Sequence, residues 1–241
     1  MTLTSRCLAT VLVLLATQIP NRAEDNKPAE EKIVGPDGLT LTVRMQGPYD
    51  ADVPLQVVCY FTPKKGGDTL KGAPVELDKR LGGVIANLRG RGEFAGDELE
   101  TLFLDTGGKI PAKQLLLIGL GSQESLSLDL MEKVGRVAYR EAARLGAAKV
   151  AFAPLIRDQG NDKLPTGEVA RYVVRGILLA RDADIRLQKE GLSKKYALGE
   201  WVEEAGADFF KDTISGVNTG LEEAKSSVNK RKSEPFVNPA Q

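Results

Sequence analysis

The chain has 241 residues, 33 basic and 33 acidic, with 27% charged and 42% apolar residues. This length allows one substantial domain with appendages, and the composition is that of a soluble globular protein, not of a disordered one. The balanced charge leaves no basic excess for a nucleic-acid face and no acidic block for a solvating tail, so no nucleic-acid partner is expected.

The first feature in chain order is a short apolar run. Arg6 precedes residues 7–20 (CLATVLVLLATQIP), which carry no charge. The run falls short of the roughly 20 apolar residues of a spanning helix. A positive start, a short apolar stretch and the small residue Ala23 read as a secretory signal peptide over residues 1–23, with Asn21 standing where a small residue is preferred. Export to a periplasmic or extracellular space is expected, with no stable membrane span once the signal is removed. Cys7 would leave with it, and Cys59 would then be the sole thiol, with no intramolecular disulfide. Cys59 lies in the apolar run LQVVCYF and reads as a buried, inert core thiol.

Residues 24–36 are charged and contain proline, and read as a linker. Residues 39–45 (LTLTVRM) alternate as a half-buried strand does, and residues 55–61 form a more buried strand. Gly47, Pro48, Asp50 and Asp52 supply the turn between them. Residues 63–72 form a Gly/Lys-rich loop. Leu77, Leu81, Val84, Ile85 and Leu88 then fall at helical spacing, ended by GRGEFAG at 90–96. Strands follow at 99–104 and 115–118, with the turn DTGGKIP between them. Ser127 should cap a helix whose buried stripe is Leu130, Val134, Val137, Ala138, Ala142 and Leu145, closed by Gly146. A strand at 149–153 and a long helix at 166–187 complete an alternation of strands and helices, the mark of an α/β layered fold. Residues 201–210 and 219–228 are expected to be helices, and residues 230–241 a fraying polar tail.

Histidine is absent from the whole sequence, which excludes His-based triads, HExxH zinc sites and Cys/His metal clusters. Asp97/Glu98, Asp182/Asp184, Glu203/Glu204 and Glu222/Glu223 are adjacent carboxylate pairs. Acid/base or metal chemistry needs convergence in a water-excluding pocket, so they read as solvated surface charge. The sharpest candidate site is the turn Gly119-Leu120-Gly121-Ser122, after a buried strand and before a helix. The backbone N–H groups at Gly119, Gly121 and Ser122 could cradle a phosphate. Glu124 replaces the third glycine of the dinucleotide fingerprint and puts negative charge beside any phosphate, so a plain tight turn is the competing reading. Asp105-Thr106-Gly107-Gly108 is a weaker candidate of the same kind.

Taken in order, the helix with Gly82 and Gly83 leading into Gly92-Glu93-Phe94-Ala95-Gly96, the strand at 97–104, the run IPAK at 110–113 into LLLIGLG at 115–121, and the helix at 126–146 followed by AAKVAF resemble the N-terminal domain of leucyl aminopeptidases, the cytosol aminopeptidase family. One departure is Arg175, ahead of Gly176, where the family has an acidic residue. The resemblance implies an α/β fold, a macro-domain-like mixed sheet sandwiched between helices, with a helical C-terminal extension. It divides the chain into a signal at 1–23, a linker at 24–36, the domain at 37–190, and a helical extension with polar tail at 191–241. Residues 209–235 resemble the linker to the family's catalytic domain, which binds two metals through Lys, Asp and Glu in an Asn-Thr-Asp-Ala-Glu-Gly-Arg context. Here Asn218-Thr219-Gly220 shares two letters and no Asp-Ala-Glu follows. No catalytic residue, metal or cofactor is therefore expected. The resemblance points to a non-catalytic binding or assembly module that forms homo-oligomers or docks on an aminopeptidase-like partner. The alternative is a macro-type domain for a nucleotide-like or other anionic small ligand.

Overall fold

The computed structural model describes residues 27–65, 67 and 70–231. The expected signal peptide and most of the polar tail lie outside the described residues. One seven-stranded sheet runs through the molecule. Its strands are β1 (Glu30–Val34), β2 (Thr40–Arg44), β3 (Leu55–Tyr60), β4 (Thr101–Asp105), β5 (Gln114–Gly119), β6 (Lys149–Ala153) and β7 (Glu200–Glu204), in the spatial order β1-β2-β7-β6-β3-β5-β4. The five inner strands are parallel, and the two edge strands are antiparallel to their neighbours. The sheet is mixed, as expected.

The inner strands are apolar on both faces because helices cover both. On one face, Leu115 and Leu117 of β5 and Val58 of β3 pack with Leu77, Leu81 and Ile85. Leu77 lies in α1 (Ala73–Arg80), Leu81 directly follows it, and Ile85 lies in α2 (Val84–Gly90). The expected single helix is thus two, because Gly82 and Gly83 both take positive φ, near 79°. On the other face, Leu116 and Ile118 join Leu130, Val134, Val173, Val217 and Trp201. This layer is α3 (Leu128–Leu145), α4 (Thr166–Lys189) and α5 (Phe210–Asn229). α3 begins and ends where its caps predict: the Leu130 N–H donates to Ser127 Oγ at 3.2 Å, and Gly146 takes the left-handed conformation.

The three helices of that layer meet backbone to backbone. A Cβ added at Gly135 would strike the Val173 carbonyl, one at Gly176 the Glu132 carbonyl, and one at Gly220 the Arg171 carbonyl. Ion pairs flank these crossings: Arg175 and Arg136 both hold Glu132, and Arg171 holds Glu223 and Glu168. Arg175, the departure from the family pattern, therefore joins α4 to α3.

Four further expectations need correction. Residues 24–36 are not all linker: Glu30–Val34 is the edge strand β1, paired with β2 from Glu30↔Arg44 to Val34↔Thr40. Its mostly exposed residues show no apolar alternation, which hid it. The strand expected at 99–104 starts later, at Thr101, because Leu99 sits in a turn with φ of 62°. Residues 201–210 are not a helix, because Glu200–Glu204 is strand β7. β7 lies inside the sheet, paired with β2 on one side and β6 on the other. The final helix starts at Phe210, well before residue 219.

Two substitutions test this architecture. Leu117→Ala, at a fully buried site, is expected to cost about 2–5 kcal/mol in urea unfolding. Gly121→Val should also lower the melting temperature, since Gly121 has φ of 67°. Unchanged unfolding in both would contradict a buried central β5 followed by a left-handed turn.

Candidate functional site

The five parallel strands all end on one edge of the sheet, and open α/β sheets bind ligands outside such carboxyl ends, where the chain leaves neighbouring strands in opposite directions. Here that point lies between β3, which leads to α1, and β6, which leads to α4. Gln159 fills it. Its Oε1 accepts from the Phe61 N–H at 2.9 Å, and its Nε2 donates to the carbonyls of Cys59 at 2.9 Å and Leu155 at 3.1 Å. The neighbouring Asp158 accepts from the Ala73 N–H, at the start of α1. Burial pushes this carboxyl above its usual range, while the Ala73 bond and Lys71 oppose the rise. The site at which α1 would attract an anion is thus taken by the chain's own carboxyl.

The glycine turn is also committed to the fold. The Gly119 N–H donates to the Glu100 carbonyl at 2.8 Å, that of Leu120 to Tyr60 at 2.8 Å, and that of Gly121 to Gly96 at 2.9 Å. A Cβ at Gly119 would collide with the Asp97 carbonyl, so close backbone approach explains that glycine. Ser122 bonds Ser125 through its hydroxyl. The Glu124 carboxyl is held below its usual range first by its own backbone N–H, then by Ser122 and by the charges of Lys64 and Lys163. Gly119, Gly121 and Ser122 thus sit together at the end of β5, but the donors of Gly119 and Gly121 point to protein carbonyls. In the weaker candidate, Thr106 Oγ1 bonds the Ala112 and Lys113 carbonyls, and the Gly107 N–H bonds Asp105.

A different place at this edge is hollow. Residues following β2, β6 and β7, with Ala73 of α1, line a half-open cavity of about 410 Å³. Leu155, Ile156, Leu164 and Val169 give it apolar walls, Tyr49 and Phe209 add rings, and Glu204, Arg157 and Asp158 add charge. Glu204 is 9% exposed. Its Oε1 accepts from Gln46 Nε2 and its Oε2 from Gln56 Nε2, both at 2.8 Å. Burial raises this carboxyl to about 7, against the lowering effect of both amides and Arg44; Asp50 adds to the rise. Glu203 projects to the opposite face and bonds Trp201 Nε1 at 2.8 Å. Burial raises it to about 8, opposed by that bond and reinforced by Glu204. Glu203 and Glu204 are thus not solvated surface charge. β7 lies inside the sheet, so its alternating side chains enter the two buried layers. Sequence reading takes Glu204 as surface charge and passes over Gln56; the signal is a glutamine within the apolar run of β3 and acids beside Trp201.

The other carboxylate pairs do not converge. Asp97 and Glu98 are exposed, Asp182 pairs with Arg186 and Arg231, and Asp184 accepts from Tyr139, Gln188 and Ser193. Glu222 pairs with Lys225 and Glu223 with Arg171. Cys59 is buried as expected, and burial pushes its thiol far up.

Residues 57–190 match the model of the cytosol aminopeptidase family, N-terminal domain. The chain belongs to this family. A probable cytosol aminopeptidase of Alkaliphilus oremlandii is 30% identical over 176 residues, covering 70% of this chain and 33% of the relative. One from Thermosynechococcus vestitus is 28% identical over 131 residues, 54% of this chain and 25% of the relative. The chain thus spans a quarter to a third of these aminopeptidases. Among solved structures, a tomato leucine aminopeptidase variant aligns over 84% of this chain and 38% of its own, with TM-score 0.56 and 15% identity. An Oceanobacillus iheyensis macrodomain with MES bound aligns over 81% of this chain and 99% of its own, with TM-score 0.56 and 14% identity. These structures establish the macrodomain-like fold. Among the described residues no group of three or more His, Cys, Asp or Glu could hold a metal ion.

The buried carboxyls make stability depend on pH. Unfolded, both glutamates ionise near 4.5; folded, Glu204 keeps its proton to about pH 7 and Glu203 to about pH 8. Between these limits the folded chain binds more protons than the unfolded one, so its stability falls as pH rises. The urea midpoint is expected to drop between about pH 5 and pH 8.5, and Glu203→Gln should flatten the drop. A midpoint independent of pH in that window would contradict the buried placement.

Proposed function

We propose that this chain is a non-catalytic, exported binding or assembly module of the aminopeptidase N-terminal type, acting as a homo-oligomer or on an aminopeptidase-like partner. The observation that carries this reading is how the carboxyl edge is used. Gln159, Asp158 and the glycine turn commit their polar groups to the chain's own backbone, leaving a half-open cavity whose carboxyls, Glu204 and Asp158, are held by the chain's own amides and backbone N–H. The match to the family's N-terminal domain supports the same reading.

A macro-type ligand domain is the second reading, favoured by the likeness to macrodomains, one of them an Oceanobacillus iheyensis structure with ADP. Against a phosphate at the β3/β6 junction stand Gln159 and Asp158, which already fill it.

The purified chain is expected not to hydrolyse leucine p-nitroanilide with zinc, manganese or cobalt. Metal-dependent turnover that follows the chain through purification would overturn the non-catalytic reading. For export, replacing Leu12, Val13, Leu14 and Leu15 with polar residues should retain the protein in the cytoplasm. Cytoplasmic protein with residues 1–23 intact in the unaltered chain would refute it.

A further inference from the structure

The cavity behind β2, β6 and β7 is poor in hydrogen-bond donors. Glu204 is buried there with only two amides to satisfy its carboxyl. Arg44, a nearby cation, is drawn away to Glu30 at 2.9 Å and Glu200 at 3.5 Å. The fully buried Gln56, bonded to Glu204, has an Oε1 with no donor. Asp158, a second carboxyl on the lining, is also raised by burial. Asp50, near Glu204, is paired with Arg80 at 2.9 Å, and that guanidinium lies over the Tyr49 ring at 4.2 Å. Arg157, the cation on the lining, lies over the Phe209 ring at 4.7 Å and bonds Thr166 Oγ1 at 3.1 Å. The remaining walls are apolar or aromatic, and the volume lies in the range of roughly 300–1,000 Å³ typical of small-molecule sites.

We propose that this cavity binds a small organic amine, a protonated primary ammonium on an apolar or aromatic body, with the ammonium donating to Glu204 and the body lying against Tyr49, Phe209 and Leu155. The ammonium supplies Glu204 with a charged donor beside its two amide partners, since Arg157, Arg44 and Arg80 are engaged elsewhere, and a charge-assisted bond formed out of water is stronger than its exposed counterpart. The proposal rests on the binding-module reading and names the ligand class for it.

The test is calorimetric titration of the chain at about pH 8, where Glu204 has lost its proton and an amine keeps its own, with 2-phenylethylamine, the uncharged 2-phenylethanol and the anionic 3-phenylpropionate. Two variants accompany it. Glu204→Gln removes the charge and keeps the side-chain shape. Gly206→Leu should fill the cavity at little backbone cost, because Gly206 has φ of −70° and the nearest atom to an added Cβ is a Phe209 ring carbon at 3.9 Å. The amine should bind at least about tenfold tighter than the other two probes, Glu204→Gln should weaken it by about tenfold, and Gly206→Leu should abolish binding with the melting curve retained. If Glu204→Gln fails to fold, the probe preference and Gly206→Leu decide the outcome. No saturable amine binding up to about 20 mM, or equal binding of the alcohol, would overturn the proposal. Binding of 3-phenylpropionate that Gly206→Leu removes would overturn the amine assignment and leave the cavity's binding role standing. Peptidase turnover would overturn the non-catalytic reading alone.

Discussion

Strand β7 holds the sheet together. Among the described strands it alone joins the β1–β2 pair to the remaining four, through parallel pairing with β2 and β6. Its five residues also set the chemistry of both layers. Trp201 and Glu203 enter the face beneath α3, α4 and α5, and Val202 enters the face beneath α1. A strand with three glutamates is a poor candidate for such a place by propensity alone. It is tolerated because each acid finds a partner: Glu200 with Lys149 and Thr42, Glu203 with Trp201, Glu204 with Gln46 and Gln56. Most buried polar groups persist in interiors on that condition.

The helix layer over this strand depends on absent side chains. Glycines at the α3–α4 and α4–α5 crossings let carbonyls of one helix approach the backbone of the next, and arginines of α4 reach across to both neighbours. Arg181, nearly buried, ties the same helix to the turn between β1 and β2 through the Pro36 and Asp37 carbonyls. Close packing and ion pairs thus act on one element, α4, which leads directly from the cavity-lining segment after β6.

Much of this was legible in the sequence where local pattern and burial agree. The runs LLLI and KVAFA read as buried strands because no charge interrupts them, and α3 read correctly to its caps because Ser127 and Gly146 carry local signals. β1 and β7 were illegible for the opposite reason. Their charged residues belong to an exposed edge in one case and to specific buried partners in the other, and partners distant in sequence leave no periodic trace. The cavity was hidden for the same cause. Its lining comes from segments near residues 45–49, 153–158, 164–169 and 204–209, which only the strand order brings together. The glycine turn was visible as a turn, while the destination of its N–H groups depended on Gly96, Glu100 and Tyr60.

Gln159 has a consequence for any molecule seeking the junction of β3 and β6. A side chain held there by the backbone behaves as a competitor tethered at the site, and tethering over short spans corresponds to millimolar local concentrations or higher. Three hydrogen bonds to Phe61, Cys59 and Leu155 strengthen its hold. An incoming nucleotide would have to displace it and restore those backbone bonds itself. The junction therefore disfavours anions that bind too weakly to displace Gln159.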